Sequence, residues 1–163
     1  MNLKRAIVAG IAGTAAMTVL LLLAPRVGLP KIAIGDLLSS ALAVSVVMLR
    51  VGPAGGWIAH GLVGIALAVL YGAAFAPRLP GPPVLRGLVY GVLVYFAAQL
   101  LFMPAVGAGV FSRGDRGLLL GSLLGHLVYG LVVGAVYGTP RSAGVADAGA
   151  RARGRGSHRE RLA

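Results

Sequence analysis

Four long stretches of this chain contain no Asp, Glu, Lys or Arg: residues 6–24, 56–76, 87–103 and 118–137, which are 19, 21, 17 and 20 residues long. Each is near the roughly 20 residues a helix needs to cross a hydrocarbon layer about 30 Å thick. A water-surrounded core of 163 residues cannot absorb four such segments, because small domains leave much of their surface exposed. Charged residues make up only 12% of the chain, about half the share in soluble domains. These features exclude an ordinary soluble enzyme. They predict an all-α integral membrane protein: a four-transmembrane-helix bundle built from two tandem helical hairpins. Pro25, Pro77, Pro104 and Pro140 follow the four runs as expected helix stops. The first run is too long for a signal-peptide core, and Pro25 follows it where cleavage would be sought, so it reads as a retained helix.

Residues 31–50 read differently. Asp36, Ser39 and Ser40 fall at i, i+3 and i+4, with Arg50 on the same side, the stripe of an interfacial amphipathic helix with one face in lipid. A fifth span is the alternative, and charge placement opposes it. With four spans, the N-terminus, the 77–86 loop and the C-terminal tail share ten basic residues. The other side holds Arg26, Lys31, Arg50, Arg113 and Arg116. The positive-inside rule then puts both termini in the cytoplasm, with the bundle in the inner (plasma) membrane. Residues 141–163 are rich in Arg, Gly, Ala and Ser. They cannot bury enough surface to offset ordering, and read as a disordered basic cytoplasmic tail. The tail is either a topology anchor or a contact for anionic lipids; no nucleic acid is expected, and another membrane protein remains open as a partner.

The second and fourth runs share a frame. His60-x3-Gly64-x6-Tyr71-Gly72 repeats as His126-x3-Gly130-x6-Tyr137-Gly138 at an offset of 66 residues. The first and third runs align more loosely at an offset of 81, pairing Arg5 with Arg86 and Gly10 with Gly91. Two parallel hairpins related by an axis along the membrane normal would produce this pattern. Small residues four apart, Gly10, Gly64, Gly91, Gly130 and Gly134 among them, let helix backbones approach closely and are the expected packing positions. Thr14, Thr18, Tyr71, Tyr95, Gln99 and Tyr137 share those faces and would form a polar seam for a solute.

No acidic or basic side chain lies deep in a run, which disfavours a carboxylate-driven ion transporter. The chain has no cysteine, no phosphate-binding loop and no metalloprotease motif. No catalytic residue and no metal site is assigned, and the expectation is that it is not an enzyme. His60 and His126 carry the remaining chemistry. At 1.5 Å per residue both lie roughly 10–12 Å from the outer helix ends. If they face each other, they could ligate a haem, hold a transition-metal pair or hydrogen-bond a quinone; otherwise each satisfies a neighbouring Ser, Thr or Tyr.

The Gly10-x2-Gly13-Thr14-x2-Met17-Thr18 run, Gly56-Trp57-x2-His60-x3-Gly64, and the stretch from His126 to Gly138 resemble uncharacterised small bacterial membrane proteins of the domain-of-unknown-function kind. The resemblance covers about residues 5–138 and implies a four-span bundle, with no activity, substrate or cofactor attached. Three readings therefore stand: a non-enzymatic accessory or interaction module, a small channel or transporter using the polar seam, and a haem- or quinone-binding redox carrier using His60 and His126.

Overall fold

The computed structural model describes residues 1–28 and 52–138. The interfacial helix expected over 31–50, Pro140 and the basic tail lie outside them. The described residues form four long helices and no strand. α1 spans Leu3–Leu23, α2 Gly52–Leu70, α3 Pro83–Ala97 and α4 Arg116–Tyr137. Taken with the turns that continue them, as Leu3–Arg26, Ala54–Phe75, Pro83–Ala105 and Arg116–Tyr137, all four are long and apolar enough to cross a membrane.

Local chemistry sets their ends. The side chain of Asn2 accepts a hydrogen bond from Arg5 N at 3.1 Å, and that of Asp115 from Leu118 N at 2.9 Å, each filling an orphan donor of a first helical turn. Two prolines act differently from plain stops. α2 continues through a π-turn at Tyr71–Phe75, and α3 through a π-turn at Ala98–Phe102 into a last turn, Met103–Ala105. In both, the residue before the proline closes the wide turn, Ala76 N to Tyr71 O and Met103 N to Ala98 O. A proline ring clashes with the carbonyl four residues back and supplies no N–H, and widening the helix by one residue relieves both problems. The third helix therefore runs past its expected end at residue 103, with Pro104 inside its final turn.

The helices pack in the order α2, α1, α4, α3, each against the next. α2 and α3 barely touch along their length and meet only near the ends joined by their short loop. There Tyr90 lies 5.1 Å from Tyr71 and 4.8 Å from Phe75, ring centre to ring centre. Glycine makes the α3–α4 contact close: a Cβ built on Gly87 would sit 2.7 Å from Gly134 Cα, and one on Gly130 would sit 2.8 Å from Gly91 Cα. On the α1–α2 side, a Cβ on Gly10 would come within 2.7 Å of Ile65 Cα.

Candidate functional site

The gap between α2 and α3 is a cavity of about 500 Å³. His60, Val63 and Leu67 of α2 form one wall, and Val94, Ala97, Ala98 and Leu101 of the third helix form the other. Met17 and Leu21 of α1 and Leu118, Ser122 and His126 of α4 also line it. Below it, the Tyr90 hydroxyl crosses from α3 and donates to the Leu67 carbonyl at 2.7 Å. The Tyr129 hydroxyl donates to the Gly64 carbonyl at 2.6 Å. These two bonds hold α2 in place while leaving the cleft above them unfilled.

The two histidines thus line one chamber, from different helices. His126 Nδ1 lies 2.7 Å from the carbonyl oxygen of Ser122 and 3.4 Å from the Ser122 hydroxyl, one turn back on its own helix. The Tyr95 ring stands edge-on to it at 6.0 Å. His60 meets the edge of Trp57, also at 6.0 Å, and its Nε2 is buried with no hydrogen-bond partner among the described residues. A buried ring nitrogen left unpaired costs about 1–3 kcal/mol. His60→Leu is therefore expected to stabilise the ligand-free protein by about 1 kcal/mol, read as a higher melting temperature in detergent. A lower melting temperature would mean that His60 is satisfied in the solubilised protein.

The other polar positions lie apart. Thr14 and Thr18 share a crevice of about 210 Å³ between α1 and α2 with Trp57 and the far side of His60. Gln99 is buried beyond the cavity, accepting from Ser112 Oγ at 3.0 Å. Ser112 sits in a left-handed turn, Phe111–Arg113, with φ between 47 and 52°. Tyr71 and Tyr137 pack edge-on at 5.7 Å at the opposite end, where the Tyr137 hydroxyl donates to Gly72 O and accepts from Asn2 N, both at 3.3 Å. These residues do not form one continuous path.

Tyr129, Tyr90 and Val63 matter to the cavity and carry no motif of their own. The 66-residue offset offers a signal: it aligns Tyr129 with Val63. Tyr129 is 3% exposed and fills the bundle against Gly13, whereas Val63 leaves its side of the chamber open. Among the described residues no group of three or more His, Cys, Asp or Glu could hold a metal ion.

No curated protein and no solved structure gives a significant match to the chain. Residues 1–146 match a family described as being of unknown function. With that match spanning all four helices, the chain belongs to the DUF6789 family.

Proposed function

We propose that the protein is a non-enzymatic module of the bacterial inner membrane that holds a small uncharged lipophile between α2 and α3, against His60 and His126. The observation that carries this reading is the chamber itself, where, among the described residues, eleven apolar residues surround two imidazoles and one serine. Its volume falls within the range of about 300–1,000 Å³ usual for ligand sites. The mouth between α2 and α3 would open sideways into lipid, so a ligand could enter from the bilayer without crossing water.

Membrane insertion is supported by the large apolar side chains on the outer faces, such as Leu22, Ile58 and Leu62, at 61, 66 and 62% exposure. Lys4, Arg5, Arg78 and Arg86 cluster at one end of the bundle, which the positive-inside rule assigns to the cytoplasm. On that orientation the histidine chamber lies in the outer half, and the basic tail faces anionic lipids. Reporter fusions in the loops at Gly81 and Gly107 are expected to give opposite sides, Gly81 cytoplasmic. A common side for both would break the four-span topology.

A haem is a poorer fit than an uncharged ligand, because among the described residues no Lys or Arg lines the chamber to pair with its carboxylates. The channel reading has less support, since Thr14, Thr18, Tyr95 and Gln99 are distributed over separate contacts. A role as an accessory to another membrane protein is compatible with ligand holding and needs no reaction at the site.

Trp57 is the single tryptophan of the chain and lies beside His60. Titrating bromobenzene, a heavy-atom quencher, into the detergent-solubilised protein is expected to quench Trp57 fluorescence saturably. Quenching that rises only in proportion to the probe's concentration in the micelle would overturn the binding proposal.

A further inference from the structure

We infer that the ligand of this chamber is a lipophile bearing a hydroxyl group, which donates its O–H to Nε2 of His126. The inference rests on the chamber being the binding site proposed above and adds the chemical class of its occupant.

A carbonyl oxygen can only accept, so the contact of 2.7 Å between His126 Nδ1 and Ser122 O places the ring proton on Nδ1. Adding a second proton would put an imidazolium in an apolar chamber that no carboxylate lines among the described residues, a costly burial of charge. The ring is therefore neutral, with a lone pair on Nε2, and acts there as an acceptor only. An ether or quinone oxygen brought to that atom would oppose lone pair to lone pair. A hydroxyl makes the bond.

His60 lines the same chamber, but its Nε2 is closed off by the surrounding protein, so the bond to the ligand is assigned to His126. Among the described residues no Lys or Arg lines the chamber, which leaves an anionic headgroup without a partner there. Phenols, aromatic diols and long-chain alcohols share the required chemistry. The oxidised quinones, with acceptor oxygens alone, do not.

Quenching of Trp57 in the full-length detergent-solubilised chain separates these cases with four probes: 4-bromophenol, 4-bromoanisole, bromobenzene and 11-bromoundecanol. Partition of each probe into empty micelles is measured separately and removed. 4-Bromophenol is expected to half-saturate at about tenfold lower concentration than 4-bromoanisole, the worth of one good hydrogen bond. His126→Phe, which keeps a ring but no acceptor, is expected to erase that advantage. Matching affinity for 11-bromoundecanol would make the occupant an aliphatic alcohol, and a preference for 4-bromophenol alone would make it a phenol. Equal saturable binding of 4-bromophenol, 4-bromoanisole and bromobenzene would overturn the hydroxyl inference and leave the lipophile site standing. So would an advantage that survives in His126→Phe. Should that variant fail to fold, the comparison of phenol with anisole in the unaltered protein decides alone. No saturable quenching by any probe would overturn both the inference and the site.

Discussion

Gly130→Leu is expected to unfold the bundle, or to lower its melting temperature in detergent so far that little folded protein survives purification. The reason is what faces the missing side chain. A Cβ on Gly130 would meet the backbone of Gly91, with both its N and Cα at 2.8 Å, and neither can rotate away. α3 and α4 would have to separate along the contact that Gly87, Gly91, Gly130 and Gly134 share. Overpacking a tight core costs about 1–3 kcal/mol when side chains can yield, and more when they cannot. Gly61 supplies the control. It is also a helical glycine, with nothing within 4 Å of its Cβ direction. Gly61→Ala is expected to be neutral or to stabilise by about 0.5–1 kcal/mol, the helix preference for alanine over glycine. If Gly130→Leu melted like the unaltered protein, α3 and α4 would not be packed as described.

Positions like Gly130 were legible in the sequence because close approach demands a small residue at every turn, and a spacing of four survives in the letters. The four helices were legible for a similar reason: length without charge is a one-dimensional property. The π-turns were not. Pro77 and Pro104 announce a disturbance, but whether a helix stops or widens depends on whether a neighbour makes continuing worthwhile. In the third helix, Met103 and Gln99 are buried near the end, and packing carries the chain past Pro104.

The open cleft was hidden for a deeper reason. Periodicity tells which face of a helix is small or polar, and not which neighbour that face meets. The repeat frame would make the α1–α4 and α2–α3 contacts equivalent, yet only the first closes. The difference resides in single residues such as Tyr129 against Val63, which no motif marks. His60 and His126 stood out as paired rings in the sequence, but only the packing order puts a chamber between them. The Ser122 carbonyl that fixes one ring's proton is a backbone group, invisible in the side-chain pattern.

A void and a backbone contact respond to added bulk in opposite ways, and Ala98→Phe uses that contrast to locate the ligand. Ala98 lies on the α3 wall of the chamber, at the start of the π-turn, and is half-buried. A ring added there has the open chamber to enter, so the fold should survive with stability within about 1 kcal/mol of the original, or slightly higher if the void fills well. Ligand binding should not survive: saturable quenching of Trp57 by bromobenzene is expected to weaken at least tenfold. The same measurement separates the two spaces that reach His60. A probe in the shallow crevice of Thr14, Thr18 and Trp57 lies on the other flank of α2 and would ignore the new ring. Saturable quenching of unchanged midpoint in a folded Ala98→Phe protein would therefore move the ligand out of the α2–α3 chamber and into that crevice. Loss of quenching with the melting temperature preserved would tie binding to the chamber, because nothing else in the bundle would have changed.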